Sequence, residues 1–187
     1  MFLDDFTHWR WTTSIPNKNY DTVRKAFHDL VKSIENEMEL KIKFLHIDRG
    51  KEYKGCLLPL LKEMGILSEK TPPYSSPSNG KAEWLNRTLN EHIRWMLFQA
   101  NMPKSFWAEA IPTATYLINR LPSKSINNAI PYELWYEKPL GSKQLKLLKP
   151  FECKVNIHVP KERRPALSKV NTRSTFGYFI SYHSSAS

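Results

Sequence analysis

The stretch Lys41-Ile42-Lys43-Phe44-Leu45-His46-Ile47-Asp48 constrains the fold more than any other. A short apolar run closed by an acidic residue reads as a buried β-strand that ends at a carboxylate. The segments around it change period. Trp9, Trp11, Thr13 and Ile15 alternate with Arg10, Thr12 and Ser14, which predicts a strand with one apolar face. Pro16-Asn17 ends it. Val23, Phe27, Leu30, Val31 and Ile34 recur at helical spacing, with Asn19 or Asp21 available to cap the start. Leu57 to Met64 predicts a short helix, and Gly65 suits the position after its last turn. Ile66-Leu67 begins another extended piece. Strands alternating with helices favour an α/β core.

The second half is more helical. Residues 71–80 (Thr-Pro-Pro-Tyr-Ser-Ser-Pro-Ser-Asn-Gly) read as a loop. A long helix is then predicted from about Lys81 to Phe98, with Leu89, Ile93, Met96 and Leu97 on its apolar side. Glu83 falls in its opening turn, where the helix dipole favours a carboxylate. Another helix is predicted over Phe106 to Arg120, kinked or broken at Pro112. Pro122 to Pro131 reads as a loop. Lys154–Val159 and Phe176–Tyr182 alternate as a small β unit.

The chain has 28 Lys+Arg against 18 Asp+Glu, a formal charge of +10, which favours a polyanionic partner. Residues 140–187 concentrate the excess, with nine Lys/Arg against Glu152 and Glu162. Cys56 and Cys153 are too few for a disulfide framework or a Cys/His zinc pattern, so a reducing compartment is expected. No apolar run approaches the roughly 18 residues of a membrane span. Met1-Phe2-Leu3-Asp4-Asp5 lacks the basic start of a secretory signal.

Two acidic residues stand in distinctive surroundings. Asp48 precedes Arg49-Gly50-Lys51-Glu52-Tyr53. Glu83 follows Ser78-Asn79-Gly80-Lys81-Ala82, 35 residues after Asp48. Carboxylates brought together at one sheet edge can hold divalent metal ions for phosphodiester chemistry. Arg87 follows Glu83 at i, i+4 spacing, which suits either an intrahelical ion pair or a phosphate contact. His46 reads as a packed or surface histidine, and Glu52 is the weaker candidate ligand.

These motifs resemble the integrase catalytic core of retroviruses and LTR retrotransposons, most closely the copia type. In that family an Asp-Asn-Gly motif supplies the second catalytic Asp, and an Asn-Gly-x-x-Glu motif supplies the Glu 35 residues later. Asp48 and Glu83 match them. Phe106-Trp107-Ala108-Glu109-Ala110 and Tyr116-Leu117-Ile118-Asn119-Arg120-Leu121-Pro122 resemble the copia-type extension. Pro131-Tyr132-Glu133-Leu134-Trp135 and the region around Phe176-Gly177-Tyr178 resemble its C-terminal unit.

The resemblance implies an α/β, RNase H-like core, N-terminally truncated, followed by a helical extension and a small SH3-like β unit. Expected boundaries are 1–121 for the partial core, 122–147 for the linker and helical extension, and 148–187 for the basic β unit. Asp48 and Glu83 become the catalytic and metal-binding residues, with Mg2+ or Mn2+ as the ion. Arg87, Arg94, Lys161, Arg163 and Arg164 become DNA contacts. DNA is the expected partner, with self-association, and the nucleus is the expected location.

The departures from the family pattern bear on activity. Family integrases use three carboxylates, the first on the opening strand of the core. Phe2-Leu3-Asp4-Asp5-Phe6-Thr7 resembles the strand and turn that follow, so Asp4 and Asp5 are poor substitutes. Arg49 stands where the family has Asn and puts a fixed positive charge beside the metal site. Trp84 and Leu85 replace a basic pair. The expectation is an integrase segment that is catalytically incomplete as it stands. Its alternatives are a non-catalytic DNA-binding remnant and an assembly module.

Overall fold

In chain order the elements are β1 (Phe2–Leu3), β2 (Arg10–Trp11), α1 (Tyr20–Met38), β3 (Phe44–Ile47), α2 (Lys51–Glu63), β4 (Leu67–Lys70), α3 (Ser76–Gln99), α4 (Trp107–Ile118), α5 (Pro131–Tyr136), α6 (Ser142–Lys146), β5 (Lys154–His158) and β6 (Ser174–Tyr178). The computed structural model describes residues 1–47, 51–70, 76–163 and 173–182, with 51–56, 69–70, 76–82 and 163 described by their backbone. Two compact units divide the chain. One is Thr13–Arg87, and the other joins Met1–Thr12 to Thr88–Ser187.

In the first unit, β3 and β4 pair in parallel, Phe44 opposite Leu67 through Ile47 opposite Lys70. A parallel pair needs a crossover connection, and α2 supplies it. Helix α1 buries Phe27, Val31 and Ile34, as its spacing predicts. Asn19 takes the cap position with an extended backbone, but its side chain makes no capping bond. The end of α2 also follows the sequence. Gly65 has φ +70°, and the Ile66 N–H donates to the Leu61 carbonyl at 2.8 Å, closing the helix as a glycine-terminated cap does. Leu57, Leu60, Leu61 and Ile66 are buried around this end.

β3 departs from expectation. It is not buried: Phe44 is 55% exposed, and the strand alternates exposed with half-buried positions. Among the described residues its sheet has two strands.

In the second unit, β1 and β2 form a short antiparallel hairpin, Phe2 opposite Trp11 and Leu3 opposite Arg10. The strand predicted over 9–15 is thus two residues long, and its facing also differs. Trp9 is buried, but so is Arg10, at 3% exposure. The reason is Asn119. Its Oδ1 accepts from the Arg10 N–H at 3.0 Å, and its Nδ2 donates to the Arg10 carbonyl at 2.9 Å. The amide acts as a one-residue strand partner and encloses the segment. Trp9 stacks on Trp135 with ring centroids 6.1 Å apart and 9° between planes. Trp11 meets the edge of the same indole at 4.9 Å.

The core of this unit joins Leu89, Ile93 and Leu97 of α3 to Ala110, Ala114 and Ile118 of α4, with Phe151 against them. β5 and β6 pair antiparallel, Lys154 opposite Tyr178 through His158 opposite Ser174. Among the described residues the expected small β unit is this one ribbon. Its far end is tied to α4. Thr113 Oγ1 donates to the Ile180 carbonyl at 2.8 Å, and Tyr182 stacks on Tyr116 at 3.9 Å.

One proline prediction fails, and of the kink or break expected at Pro112 the break does not occur. The loop assigned to 71–80 gives way to helix at Ser76, because Pro77 falls in the first turn, where its missing N–H costs nothing. Helix α4 runs through Pro112 without ending. Ala110, Thr113 and Ala114 are all fully buried, and that packing outweighs one lost backbone hydrogen bond.

Candidate metal and nucleic-acid site

The parallel pair sets the geometry. Both strands run the same way and end together at Ile47 and Lys70. The chain leaves β3 directly before Asp48, and leaves β4 toward the helix that carries Glu83. The carboxyl ends of parallel strands are where α/β folds place ligands. Asp48 itself lies outside the described residues, as do Arg49 and Arg164.

Glu83 is an exposed residue of α3. It is seven residues beyond Ser76, so it sits two turns into the helix rather than in the opening turn. The helix has no acidic residue in its first turn, and the dipole therefore does not explain Glu83. Among the described residues no ion pair joins Glu83 to Arg87. Arg87 is exposed, as is Arg94. Trp84 is 45% exposed, while Leu85 is buried at 1% and anchors this part of the helix. His46 is exposed on β3.

Among the described residues no three His, Cys, Asp or Glu side chains are placed to hold a metal. The Asp4 carboxylate has another task. Its Oδ2 accepts from the Thr7 N–H and from Thr7 Oγ1, both at 2.7 Å, and so closes the hairpin.

Lys161 is exposed in a single helical turn spanning Lys161–Arg163. Two other basic residues are withdrawn from the surface. Arg10 is buried, and burial lowers its pKa to about 10. Arg120 is 7% exposed, with its guanidinium carbon 3.4 Å from the Tyr116 ring centroid and 4.9 Å from that of Tyr132. Burial lowers its pKa as well. Sequence reasoning missed both, since nothing local marks an arginine as buried. The signal was the density of Trp and Tyr around them, which supplies faces for guanidinium groups.

No family model matches the chain. It is 38% identical over 182 residues to the retrovirus-related Pol polyprotein from transposon TNT 1-94 of Nicotiana tabacum. That match covers 97% of this chain and 13% of the polyprotein. The corresponding polyprotein from transposon RE2 of Arabidopsis thaliana is 31% identical over 153 residues, 82% of this chain and 10% of that protein. The chain belongs to the copia-type retrotransposon Pol family.

This Pol segment thus spans a small fraction of the curated relatives it matches. Its fold is shared with the simian T-cell lymphotropic virus intasome solved with PP2A regulatory subunit B56 gamma, at a TM-score of 0.57 and 15% identity. That likeness covers 94% of this chain and 59% of the other. The fold is RNase H-like. No helix among the described residues is long and apolar enough to cross a membrane.

Proposed function

We propose that this segment engages DNA as part of a retrotransposon integrase, with Asp48 and Glu83 as its contribution to a divalent-metal site. The parallel register of β3 and β4 carries the proposal, because both motif-bearing stretches follow strands that end side by side. The donor set fits the ion. Magnesium takes hard oxygen ligands, and phosphoryl enzymes commonly bind it through one or two carboxylates together with substrate phosphates. An exposed Glu83 not paired with Arg87 is compatible with that use. A bound Mg2+ or Mn2+ would supply Lewis acidity toward a phosphodiester.

The remaining work falls to the chain's own residues. Arg87 and Arg94 on α3 would position backbone phosphates, since guanidinium forks match phosphate geometry. Lys161, Arg163 and Arg164 would add phosphate contacts from the C-terminal part, proposed as a basic unit over 148–187. Cleavage and strand transfer are assigned to the parent polyprotein; self-association and nuclear location follow from the same reading.

The test is Mn2+ titration of the purified chain, read by calorimetry or water-proton relaxation. Asp48→Asn and Glu83→Gln should each weaken binding by about tenfold or more. Unchanged affinity in both variants would remove the metal assignment.

A further inference from the structure

The β5–β6 ribbon has two unlike faces. Its register places Lys154 opposite Tyr178, Asn156 opposite Phe176 and His158 opposite Ser174, and these six share one face. Val155, Ile157 and Gly177 occupy the other face. There, Ile157 lies over Gly177 so closely that a Cβ on the glycine would be 2.6 Å from Ile157 Cδ1. The absence of a side chain at Gly177 lets Ile157 lie against the neighbouring strand, while Ile157 itself stays 50% exposed. Phe176 and Tyr178, on either side of it, project from the opposite face, where they are 79% and 59% exposed.

Two exposed rings two residues apart on one strand would ordinarily be a liability for a soluble protein. Their neighbours give them a use. Asn156 lies across the ladder from Phe176, and Lys154 lies across from Tyr178. Each ring therefore has a polar or cationic side chain beside it. Residues two apart on a strand are separated by roughly 6.6 Å. That leaves room for one base on each ring, with the backbone passing beside Lys154 and Asn156. An aromatic–glycine–aromatic strand also forms the heart of the sheet on which RNA-recognition motifs stack bases. The charge of this stretch of sequence suits a nucleic acid, since residues 140–187 carry nine Lys/Arg and two Glu.

We infer that the Lys154/Asn156/Phe176/Tyr178 face of the ribbon is a stacking platform for unpaired bases of single-stranded DNA. The inference rests on the DNA reading above and extends it. Phosphate contacts treat duplex and single strand alike apart from charge density, whereas an exposed ring needs a base that is not paired and stacked within a helix.

The test compares a dodecamer of thymidylate, the same length of abasic deoxyribose-phosphate, and a random duplex. Each is titrated against the full chain by fluorescence anisotropy. The wild-type chain should bind oligo(dT) about tenfold or more tighter than the abasic strand. Phe176→Ala with Tyr178→Ala should erase that difference while changing duplex affinity less than about twofold. Phe176→Trp should keep it, because a larger ring still stacks. Both rings are exposed, so the alanine variant has little to lose in folding.

Equal binding of oligo(dT) and abasic strand by the wild type would overturn the platform and leave the phosphate reading intact. So would an alanine variant with unchanged oligo(dT) affinity but an altered sedimentation coefficient, which would make the face a protein contact. Absence of binding to all three probes would overturn both readings together.

Discussion

Ile47 pairs with Lys70 at the common end of two parallel strands, and the chain passes from Ile47 straight to Asp48. This relationship converts a spacing of 35 residues into an expectation of proximity. It also makes Arg49 consequential. A unit charge opposes a divalent ion by about 1 kcal/mol at roughly 8 Å in a water-like dielectric, or about fivefold in affinity. Arg49→Asn should therefore tighten Mn2+ binding by about that factor. A calorimetric titration showing no change, or weaker binding, would place the arginine away from the ion.

Asn119 substitutes for a strand by pairing both backbone groups of Arg10, 109 residues away. Asn119→Ala would leave a buried N–H and a buried carbonyl without partners. At about 1–3 kcal/mol for each unsatisfied group, the loss should be about 2–6 kcal/mol. Urea unfolding measures it; a loss below about 1 kcal/mol would show that water replaces the amide.

Arg10 should be a cost to folding. It is buried, and its Nε and Nη1 have no hydrogen-bond partner among the described residues. Burial lowers its pKa to about 10. For a base with a depressed folded pKa, the penalty of burying the charge is present in full below that value. It is relieved as pH rises through about 10 toward the unfolded value. At neutral pH the whole penalty applies. Arg10→Met should then stabilise the chain by about 1–3 kcal/mol at pH 7. A destabilised methionine variant would mean that the guanidinium has a partner worth more than its desolvation.

Pro112 is exposed inside α4. A proline in a helix interior is about 3 kcal/mol less favourable than alanine. Pro112→Ala should raise the unfolding free energy by about 1–3 kcal/mol, the range reflecting the lower entropy of the unfolded proline chain. Equal stability of the two proteins would show that the backbone around Ala108 has already adjusted.

The local signals in the sequence were read correctly where one physical cause governed them. Helix α1 follows from its apolar spacing, and the turn at Gly65 from the need for a positive φ. The parallel pairing of β3 and β4 could not be read, because a strand's partner is chosen by tertiary packing. Residues 76–80 misled because prolines and small polar residues mark a loop and a helix start alike. The alternation around Trp9 failed for a similar reason. Period two predicts one buried face, but the Asn119 amide and the indole of Trp135 close in on both. For the site, the sequence offers Asp48 and Glu83 as the proposed ligands. The exposure of Glu83 two turns into its helix was not legible, because it depends on where α3 starts.

The most direct test of the DNA reading is a salt titration of duplex affinity. Each phosphate neutralised contributes about −0.9 to the slope of log K against log salt. Replacing Lys161, Arg163 and Arg164 together by Ala should make the slope shallower by roughly 1 to 3 and weaken binding across sequences alike. Asp48→Asn should leave duplex affinity undiminished, because a carboxylate does not attract phosphate. Negligible affinity at about 50 mM salt, or a slope untouched by the triple substitution, would contradict the assignment and leave the C-terminal charge as a solvated face.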